Sequence, residues 1–277
     1  MKPASQRKFH YFLSSLFTHN FHYEASSEPI DVIIPIIKKD LKILPYCLEG
    51  IYKCVTNKIE DIIIVSPQDK DILKFCHTHH LTHKDEASIL GFSPKDINYQ
   101  ANGVDRSGWI FQQLLKLSGN IGHTNHYLVI DADHVLLSPH TFLTSNQKVI
   151  FYQSKEYHQP YYKMMDKLLG QVNLTSLSFV DHKMLFSTHE LKVLKDRIQA
   201  YTGKNWIESI LSNLDHHEMS CFSEYETYGC TFPSEKRILL PWRNKNLPFT
   251  HLEPYNTLVK RYGKSHRAVT FPDYKKE

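Results

Sequence analysis

Short runs built almost wholly of β-branched and aliphatic residues limit the folds open to this chain. They are Ile30–Ile37 (IDVIIPII), Asp61–Val65 (DIIIV) and Leu128–Ile130 within HYLVIDADHVLLSP, residues 126–139. Runs this short, with no polar alternation, are strands buried on both faces. Between them, Leu41–Val55, Asp69–His79 and Gly108–Leu117 read as helices, with Pro45 placed in the first turn of the first. Such alternation predicts βαβ units and a mainly parallel sheet, an α/β fold. The spacing also predicts a strand at Ser88–Phe92. After Pro139 the rhythm changes: Val149–Gln153 and Ser178–Phe186 read as strands, Leu191–Tyr201 and Trp206–Leu214 as helices. A mixed sheet follows.

Asp131 and Asp133 end the most apolar of these runs. An unpaired charge beside a core strand costs several kcal/mol. The pair therefore sits where the strand emerges, facing solvent or a cation. In open α/β sheets the carboxyl end of a strand is where ligands bind.

The 277 residues suffice for a full core, and no run of 18 apolar residues marks a transmembrane helix. Five cysteines, Cys47, Cys54, Cys76, Cys221 and Cys230, include no CxxC pair, which argues against a disulfide scaffold and for a reducing, cytoplasmic compartment. The triplet Asn173-Leu174-Thr175 matches a glycosylation sequon and carries little weight there. Residues 1–29 form an N-terminal extension too polar for a signal peptide. Phe9, Phe12, Leu13, Leu16 and Phe17 recur in it at helical spacing, so an amphipathic helix is expected, packed on the body or lying at the inner face of a membrane.

The formal charge of +4 is uneven. Residues 236–277 hold ten Lys/Arg against three acidic residues, a surplus of +7 that leaves −3 for the rest. Lys236, Arg237, Arg243, Lys264 and Arg267, with Pro233, Pro241 and Pro248 between them, suggest a loop-rich basic lid for an anionic ligand, while Lys275 and Lys276 read as a solvated tail. Interleaved Trp242, Tyr255, Tyr262 and Tyr274 raise nucleic-acid binding as an alternative. No nucleic-acid motif accompanies them, so no such partner is expected. The histidines of CHTHHLTH (76–83) lack the second ligand pair a zinc site needs and read as a solvated helix end.

An Asp-x-Asp at a strand end has two main chemical uses. The string DADHV fits the D-x-D-x-[TV] pattern of haloacid-dehalogenase phosphatases, where the first Asp attacks phosphorus. Here, however, the motif follows a long βαβ region and no later acidic pair completes the site. The other use is to hold a divalent cation against the diphosphate of a nucleotide sugar. IDVIIPIIKKDLKILPYCLEGIYK (30–53) resembles the opening strand–loop–helix of GT-A glycosyltransferases, and DIIIVSP their second strand. With DRSGWIFQQLLKL (105–117), HYLVIDADHVLLSP, SFVDHKMLF (178–186) and FSEYETYG (222–229), the set resembles a family of bacterial GT-A-like proteins regarded as glycosyltransferases.

That resemblance implies a GT-A-like open twisted mixed sheet flanked by helices. Its βαβ N-terminal half would bind nucleotide, with the catalytic domain at 30–240 and a basic segment at 241–277. It implies transfer of a sugar from a nucleotide-diphosphate sugar to a glycan or lipid-linked acceptor hydroxyl, in bacterial surface glycan synthesis, with Mn²⁺ or Mg²⁺ as cofactor. Asp133 would ligate the metal, and Asp131 the metal or the donor ribose. His182 would be a third ligand, a donor to the diphosphate, or a structural histidine at a strand end. Asp40 would meet the nucleoside, Arg106 a phosphate or a carboxylate, and Gln113 sugar hydroxyls or the base. Trp109 reads as core. Glu224 would be the general base, with pairing to Arg237 or Arg243 as its alternative. A catalytically inactive sugar-binding protein is the other reading of the same residues.

Overall fold

In a computed structural model, residues 4–17, 21–170, 175–232 and 235–272 are described; the sequon asparagine, Tyr274 and the Lys275-Lys276 tail lie outside them. The helix α1 (Ala4–Phe17) precedes β1 (Ile30–Pro35), α2 (Leu44–Cys54), β2 (Ile59–Ser66), α3 (Lys70–Thr78) and β3 (Thr82–Asp85). Then come α4 (Glu86–Leu90), the two-residue strands β4 (Gln100–Ala101) and β5 (Val104–Asp105), α5 (Ser107–Leu117), β6 (His126–Ile130) and β7 (His134–Leu136). The second half holds β8 (Val149–Gln153), α6 (Gln159–Leu169), β9 (Lys183–Ser187), α7 (Thr188–Thr202), α8 (Trp206–Ser212) and α9 (Glu224–Thr231). The strands β10 (Arg237–Pro241) and β11 (Asn244–Asn246), helix α10 (Tyr255–Tyr262) and strand β12 (Ala268–Thr270) complete it.

The central sheet has five strands in the order β3-β2-β1-β6-β9. The first four run parallel and β9 runs antiparallel to β6, with Ile130 opposite Lys183. The expected mixed α/β sheet flanked by helices is thus the observed one. β1 is buried along its whole length. Ile33, Ile63 and Val129 pack on one side with α5 and α7, and Val32, Ile34, Ile64 and Leu128 on the other with α2 and α3. Helices cover both faces, so the strands need apolar residues in both directions. Among the described residues no helix is long and apolar enough to cross a membrane.

Two elements differ from expectation. Residues 86–90 form a helix and not a strand: Asp85 accepts the Ala87 N–H at its start, and Gly91 takes the left-handed conformation (φ 79°) at its end. Local capping overrides five residues of ambiguous apolar pattern. Residues 237–270 are a packed layer and not a loop-rich lid. β10 pairs with β8, and β11, β12 and β7 form a second sheet. α2 comes so close to β7 that a Cβ on Gly50 would lie 2.8 Å from the Leu136 amide nitrogen. That contact fixes the strand three residues beyond Asp133.

Candidate functional site

The chain leaves β1 toward β2 on one side, while β6 joins β1 on the other. The crevice between the carboxyl ends of β1 and β6 is therefore a topological switch point, where α/β sheets open to ligands. A cleft of about 550 Å³ lies there. Asp131, Ala132 and Asp133 form its floor, with Pro35, Ile36, Ile37 and Asp40 on one side. Arg106, Trp109 and Gln112, from the start of α5, line another wall, and Phe249 and Phe271 of the C-terminal layer complete it.

Three side chains converge on the floor. The Asp131 N–H donates to the His182 carbonyl (2.9 Å), which sets His182 beside the end of β6. The His134 N–H donates to the Asp131 carbonyl (3.0 Å), turning the chain just after the strand. The ligand atoms of Asp131, Asp133 and His182 all lie within 4.8 Å of one another, the one such group of three among the described residues. His182 holds φ at 57°, a left-handed conformation that costs a non-glycine residue about 1–3 kcal/mol. Its neighbours clamp it: Asp181 and Lys183 form a buried ion pair at 2.6 Å, one on each side.

The electrostatics separate the two aspartates. Burial would raise Asp131, but the Lys116 ammonium at 2.8 Å from Oδ1, and His182 Nδ1 at 3.1 Å from Oδ2, hold its carboxyl well below the usual range. Burial likewise opposes the charged His182 ring, and Asp131 outweighs it, so its pKa is raised. Asp133 goes the other way. Burial, then the neighbouring charge of Asp131, pushes its carboxyl up to about 6, and Asp40 adds to the effect. Carboxylates crowded in this way, with an imidazole beside them, are a donor set suited to a divalent cation.

Behind the floor lies a residue that motif reading passed over. Lys116 is 3 % exposed and sits 2.9 Å from Glu224 Oε1 as well as 2.8 Å from Asp131. The Tyr225 hydroxyl donates to the same Asp131 oxygen at 3.4 Å. Burial opposes the Lys116 charge, yet its two carboxylate partners hold its pKa well above the ordinary value.

Asp40, Arg106, Asp131, Asp133 and His182 all line the cleft. Asp40 also accepts the Ile37 N–H at 2.8 Å, which ties the β1 exit loop in place. Arg106 Nε donates to the Met219 carbonyl (2.7 Å), and its guanidinium lies 4.8 Å from the Trp109 ring centre. Trp109, expected in the core, packs half-buried against it and also lines the cleft. Two expected residues lie elsewhere. Gln113 is buried on the inner side of α5, where its amide, turned to donate, meets Glu224 Oε1 at 3.1 Å; Gln112 faces the cleft instead. Glu224 is 1 % exposed at the start of α9, its carboxylate engaged by Lys116, and not by Arg237 or Arg243.

The basic C-terminal residues also have other partners. Arg237 pairs with Glu190 at 2.9 Å, Arg243 reaches Ser15, and Arg267 stacks 4.1 Å from the Trp242 ring centre. None of Lys236, Arg237, Arg243, Lys264 and Arg267 lines the cleft. Of the histidine cluster, His77, His79 and His80 are exposed at the end of α3.

No protein of curated function matches the sequence. Among solved structures, mouse xyloside xylosyltransferase 1 in its apo form is similar over 90 % of this chain and 99 % of that one, at 11 % identity and a TM-score of 0.48. A mycobacterial protein is similar over 40 % of this chain and 33 % of that one, at 12 % identity and a TM-score of 0.28. Residues 29–266 match the family of unknown function DUF6492, and the chain belongs to that family.

Proposed function

We propose that this DUF6492 member is a metal-dependent glycosyltransferase, moving a sugar from a nucleoside-diphosphate sugar to an acceptor hydroxyl on a glycan or lipid-linked saccharide. The observation that carries the reading is the Asp131–Asp133–His182 group on the floor of an open cleft at the sheet's switch point. In the reaction the acceptor oxygen bonds to the anomeric carbon, the bond from that carbon to the diphosphate breaks, and the acceptor proton leaves with solvent or the diphosphate. A cation held by Asp131, Asp133 and His182 supplies Lewis-acid neutralisation of the charge that grows on the diphosphate.

The protein's own groups do the rest. Arg106 and the first turn of α5 add positive potential on the wall where the diphosphate lies. Pro35–Ile37 and Asp40 flank the nucleoside. Glu224 is a positioning residue in this scheme: it holds Lys116, and Lys116 holds Asp131. The phosphatase alternative needs a later acidic pair to complete its metal site; among the described residues Asp131, Asp133 and His182 are the one group of three candidate ligands.

A thermal-shift panel of nucleoside diphosphates with Mn²⁺ tests the proposal. A ligand present at about 100 times its Kd stabilises the fold by about 2.7 kcal/mol. One nucleotide raising Tm by several degrees, only with the metal present, supports the reading and names the donor class. No shift with any nucleoside diphosphate contradicts it.

A further inference from the structure

The helix α1 packs on the body with the wrong face for a soluble protein. Arg7, Tyr11 and Ser15, spaced four residues apart, point inward. Arg7 Nη2 donates to the Glu156 carbonyl (2.8 Å) with its guanidinium 4.5 Å from the Tyr157 ring centre. The Tyr11 hydroxyl donates to the Trp242 carbonyl, and Ser15 Oγ accepts from Arg243 Nε at 3.1 Å. Phe9, Phe12, Leu13 and Leu16 recur at i, i+3, i+4 and i+7 on the opposite face, where they are 64, 52, 39 and 46 % exposed. Phe21, just beyond the helix, is 50 % exposed. Large apolar side chains clustered outward at this spacing mark an interaction surface.

The charge around this stripe says what covers it. Lys8 is exposed beside Phe9, and the sequence of residues 1–23 contains no acidic residue, while Arg7 faces the body. A second copy of the chain would set one cationic helix against another. An anionic bilayer offers the opposite charge and an apolar layer at the depth such a helix reaches. We infer that α1 docks this protein on an anionic lipid surface, with Phe9, Phe12, Leu13 and Leu16 as the inserted face.

The docking face is joined to the cleft by contacts. Trp242 and Arg243, which α1 touches, are followed by Asn244, whose amide donates to Asp181, the neighbour of His182. These contacts link the docked helix to the residue beside His182, which suits an acceptor carried on a lipid. That last consequence rests on the glycosyltransferase reading; the docking itself does not.

The test is co-sedimentation of the full chain with vesicles of phosphatidylcholine and phosphatidylglycerol, beside vesicles of phosphatidylcholine alone. The wild type is expected to sediment with the anionic vesicles and to be released by salt. The combined variant Phe9→Ser, Leu13→Ser, Leu16→Ser, changed only at exposed positions, should keep its Tm and lose at least about tenfold in binding, the scale set by losing the burial of apolar side chains. Lys8→Glu should weaken binding to the anionic vesicles alone. Failure of the wild type to sediment, equal sedimentation of the triple variant, or a solution dimer that the triple variant dissociates would overturn the inference. Nucleotide binding by both proteins in solution, without vesicles, reports on the glycosyltransferase reading separately.

Discussion

Lys116 Nζ lies 2.8 Å from Asp131 Oδ1 in a pocket where the lysine is 3 % exposed, so the aspartate at the end of β6 is fixed by a buried cation before any ligand arrives. Glu224, 2.9 Å from the same ammonium, is its second carboxylate partner. Removing one partner of a buried ion network leaves the others uncompensated and costs about 3–5 kcal/mol. Lys116→Met is expected to lose stability on that scale in urea unfolding. Adding Glu224→Gln to it should recover part of the loss, because one stranded charge goes with it. A Lys116→Met protein within about 0.5 kcal/mol of wild type would mean the network is not what holds this region.

Glu224→Gln separates positioning from contact with the acceptor. As a group acting through Lys116 and Asp131, it should weaken Mn²⁺ affinity by about 10–100-fold, the usual cost of losing an outer partner of a metal ligand. A general base touching only the acceptor would leave Mn²⁺ affinity unchanged and lower turnover alone. Paired calorimetry and turnover measurements distinguish the two.

Glu86 on the cleft wall gives a pH signature of stability. Burial, then the charge of Asp85, pushes its carboxyl from 4.5 up to about 7. The folded protein therefore keeps a proton through that window which the unfolded chain releases. Stability from this group is fully present below pH 4.5 and is lost as pH rises through about 7. Glu86→Gln should flatten that fall, seen as a smaller difference between urea midpoints at about pH 5 and about pH 8. An unchanged pH profile in the variant would rule out Glu86 as its source.

Gly50→Ala tests the approach of α2 to β7. The added methyl carbon meets Leu136 backbone at 2.8 Å, where no flexible side chain can yield. Overpacking of this kind costs about 1–3 kcal/mol, against the ~1 kcal/mol an alanine would gain in an open helix, so a net loss is expected. A stabilised variant in thermal unfolding would show that the two elements separate easily.

Much of this arrangement is legible in the chain. The β-branched runs mark β1, β2 and β6, and VIFYQ coincides with β8. The Asp-x-Asp at the end of β6 marks the cleft floor. What single-chain periodicity does not carry is which residues of one helix face reach the cleft. In α5, Trp109, Gln112, Gln113 and Lys116 fall within about a third of the helix circumference, yet Trp109 and Gln112 line the cleft while Gln113 and Lys116 are buried. A signal for Lys116 was present, since a lysine set between Leu115 and Leu117 on an apolar helix must find a buried partner. Its partners come from β6 and α9, beyond any local pattern. For the basic C-terminal residues the reverse holds: composition counts charges, while Arg237 is paired with Glu190 and packed against aromatic rings.

In the proposed function a cation and a nucleoside diphosphate bind together at Asp131, Asp133 and His182. Isothermal calorimetry of the diphosphate picked out by the thermal-shift panel, with Mn²⁺, with EDTA, and with Asp133→Ala, measures this directly. Binding with Mn²⁺ that falls at least about tenfold, or 1.4 kcal/mol, both in EDTA and in Asp133→Ala is the predicted result. Diphosphate affinity that is the same in all three would contradict it.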